Sequence, residues 1–177
     1  MFLLGVIAIG VLLKKSNFVE NNPDKGEMEP RKILIRELRE PKDEDARRLQ
    51  ELMNHLTTAP RPEIDTARLA AIVESPHTRL LVAEREGAIV GALTLTHYLT
   101  PVSEKVWIED VVVDPSARGL GVGRAMVEAA VELARHNHPS ATIILTSNPS
   151  RTTARQLYTS VGFEEYNTGV FRIKPNQ

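Results

Sequence analysis

The sequence predicts an α/β domain: a central sheet of mixed direction with helices on both faces. Three observations carry this. Apolar runs and amphipathic segments follow one another in the order strand, helices, strands, helix, strand, helix, strands. Two of the runs are separated only by Glu86-Gly87, which makes them an antiparallel hairpin. Further on, a strand, a glycine-rich turn, a helix and another buried strand form a βαβ unit, whose strands are parallel and whose crossover is expected to be right-handed.

Each element has its own signal. Ile33 to Leu38 reads as the first strand. Asp43 to Leu56 reads as a helix, because Leu49, Leu52, Met53 and Leu56 recur at helical spacing and Asp43 can cap the start. Pro60 and Pro62 interrupt the chain before a second helix, Ile64 to Val73. The hairpin pairs Arg79–Arg85 with Ala88–Thr96, and Lys105 to Val113 (KVWIEDVVV) is the next strand. Gly121 to His136 is helical, with Val122, Ala125, Met126, Ala129 and Leu133 on one face. Ala141 to Thr146 is a short buried strand and Ser150 to Val161 the last helix. Phe163–Tyr166 and Gly169–Ile173 read as a closing hairpin.

The chain has 177 residues, 42% of them hydrophobic and 25% charged, which is the composition of one globular domain with a real core. A net charge of −1 provides no field to gather nucleic acid. The absence of cysteine rules out disulfides, thiolate metal sites and an acyl-cysteine intermediate, and it fits a cytoplasmic protein. Residues 1–30 stand apart from the domain at 31–177. Met1 to Leu13 is apolar and closed by Lys14-Lys15, but it is shorter than the roughly 20 residues a spanning helix needs. Three readings stay open: a short membrane anchor, a helix docked on the domain or on another copy, and a mis-called or appended start. Ser16 to Pro30 is a polar linker.

The turn Arg118-Gly119-Leu120-Gly121-Val122-Gly123-Arg124 opens a helix directly after a strand. Glycines lose backbone entropy there and let the backbone approach a ligand closely. The first helical amides have no partners within the helix, and the helix dipole adds positive charge, so the turn suits a pyrophosphate. No Gly-Lys-Ser/Thr follows, which excludes the P-loop, and no acidic residue ends the next strand, as a dinucleotide fold requires.

Arg118-x-x-Gly121-x-Gly123, preceded by Val111-Val112-Val113-Asp114-Pro115, resembles the R/Q-x-x-G-x-G/A motif of the GNAT acetyltransferase superfamily. Ala154, Tyr158 and Gly162-Phe163 resemble its second signature, at a fitting distance, and the resemblance covers roughly Ile33 to Lys174. It implies the GNAT acyl-CoA N-acyltransferase fold and direct acetyl transfer from acetyl-CoA to a primary amine of a small molecule or a protein. It also implies that Val111, Val112 and Val113 pair with the pantetheine arm, and that Arg118, Gly119, Leu120, Gly121, Val122, Gly123 and Arg124 hold the pyrophosphate. Tyr158 then lies near the sulfur as the acid. Ile108 to Val113 resembles the corresponding strand of glucosamine-6-phosphate N-acetyltransferases. Many members carry a glutamate base on the fifth strand. Thr146 stands there here, so Glu109 is the expected base, with Asp110 beside it on the opposite face by strand alternation. Many members also have an asparagine seven positions before the tyrosine. Here that position is Arg151, which is expected to contact either the coenzyme or the acceptor, with Asn148 or Ser150 capping the helix.

The rival reading is a GNAT-like module that binds acyl-CoA or a partner without turnover. The acceptor site is expected among Asp43–Val73, the loop Tyr98–Val102 and the final hairpin. His97, His136 and His138 have no metal spacing on one element, so no metal is expected. The expected partner is an amine. Weak membrane association through residues 1–15 and a homodimer are left open. Because the domain pattern starts at Ile33, a chain beginning at Met28 is expected to melt at the same temperature as the full chain and to bind acetyl-CoA equally well by calorimetry. A large drop in melting temperature would show the apolar segment docked on the domain.

Overall fold

The computed structural model describes residues 33–56 and 62–173. The apolar segment and linker of residues 1–30, Pro60 and Arg61 lie outside the described residues. The chain divides into a larger unit ending at Thr146 and a smaller one beginning at Ser147.

The larger unit contains β1 (Leu34–Glu37), α1 (Asp43–Asn54), α2 (Thr66–Glu74), β2 (Thr78–Arg85), β3 (Ala88–Thr100), β4 (Ser103–Val113), α3 (Val122–Asn137) and β5 (Thr142–Leu145). The strands lie in sequence order in one sheet. Every neighbouring pair is antiparallel except β4 and β5, which are parallel. The mixed sheet and the βαβ unit are as the sequence predicted. Glu86 and Gly87 both take positive φ, 55° and 79°, the primed turn that matches the twist of a two-residue hairpin.

Leu80, Leu81, Val82 and Ala83 of β2 are all buried, so both faces of the sheet are covered. On one face Leu80, Val82, Ala92 and Val112 pack with Leu38, Leu49, Leu52 and Leu69 beneath α1 and α2. The other face takes α3. Gly91 pairs with Val113 across the sheet, and a Cβ added at Gly91 would stand 3.0 Å from the sulfur of Met126 and 3.1 Å from the Val112 carbonyl. Glycine at that position lets α3 close on the sheet.

Several expectations are corrected. The buried face of α3 is Val122, Met126, Val127, Ala130, Val131 and Ala134, with Ala125, Ala129 and Leu133 on its flank. The face is rotated because the β-branched Val127 and Val131 pack inward. Lys42, not Asp43, is the N-cap of α1. Its amide donates to Asp45 Oδ2 at 2.8 Å, while Asp43 accepts the hydroxyl of Thr66. The loop expected at Tyr98–Val102 is instead the end of a long hairpin. The β3–β4 ladder continues to Thr100–Ser103, and the Ser103 amide donates to Thr100 Oγ1 at 3.0 Å.

In the smaller unit, α4 runs from Thr152 to Val161. Arg151 is its N-cap, and neither Asn148 nor Ser150 caps it. Asn148 Oδ1 instead accepts the Ser150 amide at 2.9 Å, a turn that precedes the helix. The hairpin expected at Phe163–Tyr166 and Gly169–Ile173 does not form, and no strand is present in residues 163–173. Two short strands without a third to lean on have little stability of their own, and Asn167 is separated from Gly169 by Thr168, so the Asn-Gly turn is missing.

Gly91→Val is expected to destabilise the chain by about 1–3 kcal/mol, the usual penalty for overpacking. Met126→Ala in the same chain is expected to return part of that loss, since contacting sites do not add. Urea unfolding of the two single variants and the double variant checks this. Strict additivity would contradict the contact.

Candidate active site

The fourth strand changes character at Asp110. Thr94 pairs with Glu109 and Ala92 with Val112, so β3 spends two residues where β4 spends three. The extra residue is a β-bulge, and Asp110 adopts φ 54° within it. The bulge exchanges the faces of the strand. Ile108 pairs with Leu95 and Val113 with Gly91, while Val112, four residues after Ile108, enters the cluster beneath α1 and α2. Glu109 pairs with Thr94, two residues along β3 from Ala92, and therefore lies on the α1/α2 face. The simple alternation expected for Glu109 and Asp110 is replaced by a kink. Both are exposed. The Glu109 carboxyl is nevertheless pushed up from its ordinary value, by desolvation first and by the Asp110 charge second.

The other edge of β4 is freed at the same place. β5 pairs with β4 from Lys105–Thr142 to Ile108–Leu145, and the ladder stops there. Residues 109–113 run on without a β5 partner. Of the expected pantetheine-contacting residues, Val112 turns into the core, while Val111 and Val113 stay partly exposed.

Asp114 then fixes the turn. Its Oδ1 accepts the Ser116 amide at 2.8 Å and the Ser116 hydroxyl at 2.6 Å, starting a 3-10 turn over Pro115–Ala117. Its Oδ2 accepts Arg48 Nη2 at 2.5 Å, and Arg48 Nε donates to the Ile89 carbonyl at 2.7 Å. Its amide donates to the Val90 carbonyl at 2.9 Å. One carboxylate thus ties α1 and the β2–β3 hairpin to the end of β4. These bonds hold its pKa at about 2 rather than 3.8, the Ser116 hydroxyl contributing most and Arg48 next. The Arg48–Asp114 pair joins residues 66 positions apart and has no local sequence signal. Asp-Pro-Ser after a strand is a legible turn signal, but nothing in sequence points to Arg48.

Gly119 and Gly121 take φ 77° and 81°, and Gly121 is the N-cap of α3. A Cβ placed on either would meet nothing within 4 Å. The glycines are therefore required by conformation, and they leave a bare backbone facing open space. Ala125 is the amide that closes on Gly121's carbonyl, at 3.0 Å, so the amides of the first turn point outward. This fits a bound pyrophosphate. Val122 is buried and anchors the turn, while Leu120 is exposed. Arg118 Nε donates to the Val113 carbonyl at 3.4 Å. Arg124 pairs with Glu128 at 3.1 Å along the helix, so part of the charge expected at the turn is already engaged.

In the smaller unit, Gly162 ends α4 at φ 104°, and the Phe163 amide returns to the Tyr158 carbonyl at 3.0 Å. This closure sets the Phe163 ring edge-on to Tyr158, with centroids 6.2 Å apart. It is the local reason for the Tyr-x-x-x-Gly-Phe spacing. Tyr158 is half-buried, and desolvation raises its pKa above 10, with the charge of Arg151 opposing. Arg151 is exposed.

The model of the acetyltransferase (GNAT) family matches residues 46–163. Glucosamine 6-phosphate N-acetyltransferase of Trypanosoma brucei brucei is 33% identical over 144 residues, which cover 76% of this chain and 92% of that protein. Mycothiol acetyltransferase of Thermomonospora curvata is 33% identical over 96 residues, 54% of this chain, which spans only 31% of that longer protein. Among solved structures, an acetyltransferase of Trypanosoma brucei superposes with a TM-score of 0.66 at 27% identity, covering 81% of this chain and 100% of that one.

Asp114 supplies the testable consequence. Its folded pKa is depressed, so its contribution to stability is complete above about pH 4 and is lost as the pH falls through about 2. Asp114→Asn is expected to lower stability at pH 7 and pH 5, with the gap to the parent closing between pH 4 and pH 2. Chemical unfolding across that range checks it. A gap independent of pH would contradict the anchor.

Proposed function

This chain belongs to the acetyltransferase (GNAT) family and transfers an acetyl group to an amine, and on that premise we propose that acetyl-CoA is the donor, with Glu109 as base and Tyr158 as acid. The observation that carries the proposal is the end of β4. Its ladder to β5 stops at Ile108, and the bare strand then leads into two left-handed glycines at the start of α3. In this reading the free edge of Val111–Val113 pairs with the pantetheine amides. The turn from Arg118 to Arg124 holds the pyrophosphate with backbone amides and the Arg118 charge. Arg151 contributes a further positive charge to the coenzyme.

The thioester supplies an activated acetyl group. Glu109 takes a proton from the amine, directly or through water, so that a neutral nitrogen attacks. Its raised pKa brings it closer to the working pH, as suits a general base. A backbone amide near Val113 meets the negative charge that develops on the acetyl oxygen. Tyr158, kept protonated by desolvation, gives its proton to the departing thiolate. Phenol and thiol pKa values near 10 and 8.5 make this transfer slightly uphill.

The acceptor binds on the α1/α2 face, where Glu109 lies. Among the described residues no helix is long and apolar enough to cross a membrane. A cytoplasmic location is supported by the absence of cysteine. Thiol release from acetyl-CoA, measured against an amine panel that includes glucosamine 6-phosphate, tests the function. Binding without release for every amine would favour a non-catalytic module.

Three variants test the roles. Gly121→Glu, which puts a charged side chain at a left-handed position facing the phosphates, is expected to abolish acetyl-CoA binding by calorimetry. Tyr158→Phe is expected to lower kcat by about 10²–10⁴-fold with little change in coenzyme affinity. Glu109→Gln is expected to lose most activity at low pH and to recover partly as rising pH neutralises the amine, which Tyr158→Phe does not do. Full activity in Tyr158→Phe, or no recovery in Glu109→Gln, would overturn the roles.

A further inference from the structure

Of the five histidines in the chain, three gather at the end of the sheet that holds the C-terminus of α3. His97 lies on β3, His138 is the C-cap of α3, and His77 precedes β2. His97 Nε2 stands 2.9 Å and His138 Nδ1 3.1 Å from the same oxygen, Oε1 of Glu104 on β4. The Ser140 hydroxyl donates to the other oxygen, Oε2. All three donor groups are partly buried, and their ligand atoms lie within 4.8 Å of one another. His77, His97 and His138 line one small cavity with Leu95, Val106 and Leu133. The proposed acetyl-transfer reaction uses none of these groups. α3 spans 16 residues, so this end lies roughly 24 Å from the glycine turn.

We propose that His97, His138 and Glu104 form a binding site for a divalent transition metal ion, with Zn²⁺ as the natural occupant. Two imidazole nitrogens and one carboxylate oxygen are the donor set that Zn²⁺ takes, leaving a fourth position for water or His77. Calcium and magnesium want oxygen alone. Ligands at about 2.1 Å around a tetrahedral ion stand about 3.4 Å apart; the two nitrogen–oxygen edges here, 2.9 and 3.1 Å, are shorter, so the groups draw apart by about half an ångström or less as the ion enters. Ser140 orients the carboxylate as an outer partner, which metal sites require. Arg79 lines the same cavity, but its charge is engaged by Glu37 at 2.9 Å. The rings of His97 and His138 are stacked, with centroids 3.7 Å apart and planes 14° from parallel. An ion must lie near the plane of each ring, so binding turns one of them about its Cβ–Cγ bond. His138, at the helix end, is the ring that turns. Each imidazole binds the metal through the nitrogen that faces Glu104, with its one N–H carried on the other ring nitrogen after exchange with water.

The test uses the full, untagged chain after treatment with a chelator. Titration with Zn²⁺ at pH 7.5 is expected to show one site, with a Kd at or below about 10 µM. The melting temperature is expected to rise on addition and to return with EDTA. His138→Gln and Glu104→Gln are expected to weaken binding by at least about 10–100-fold, while His136→Ala, on the neighbouring surface, leaves it unchanged. The thermal shift on the parent chain needs no variant to fold. No binding up to millimolar Zn²⁺, or binding equally strong in His138→Gln and His136→Ala, would overturn the site. So would a cluster that responds to pH alone, which would make it a proton-linked clamp.

Discussion

The fourth strand has two neighbours over its first half and one over its second, and the rest of the site depends on that change. The bulge at Asp110 makes it. An aspartate in the left-handed region costs about 1 kcal/mol, and the β3 ladder on both sides of the bulge holds it there. A single extra residue exchanges the faces of the strand, so Val112 joins the core, Glu109 stays outside it, and the strand beyond Ile108 keeps a free edge. Without the bulge Val112 would face α3, where Gly91 has been kept small for Met126.

The bare edge has value only if the turn that follows it is fixed. Asp114 does this with one carboxylate. One oxygen starts the 3-10 turn and the other holds Arg48 of α1. The loop is therefore rigid at its base and open at its tip, where Gly119 and Gly121 present backbone to solvent. The same bond carries α1 to the end of β4, on the sheet face where Glu109 lies. The donor and acceptor sides of the proposed reaction thus share one support.

Much of this was legible in the sequence because it is written locally. The hairpin at Glu86-Gly87, the strand–turn–helix around the glycines and the Tyr158–Gly162–Phe163 closure each rest on contacts within a few residues. What could not be read depends on partners far apart in the chain. Arg48 and Asp114 are 66 residues apart. The bulge at Asp110 exists only relative to the register of β3. His97, Glu104 and His138 come from three elements, so a search for metal spacing along one element passes over them. The closing hairpin failed for the opposite reason: its apolar pattern was local, but a two-stranded ribbon needs a third surface that a pattern cannot supply.

In the proposed reaction the free edge of β4 and the glycine turn act as one coenzyme cradle. Backbone amide chemical shifts of the isotope-labelled chain, recorded as coenzyme A is added, test it residue by residue. The largest changes are expected at Val111, Val113 and from Gly119 to Arg124, with the amides of Leu80 to Ala83 unmoved. Changes of similar size spread over the sheet, or none in the glycine turn, would contradict it.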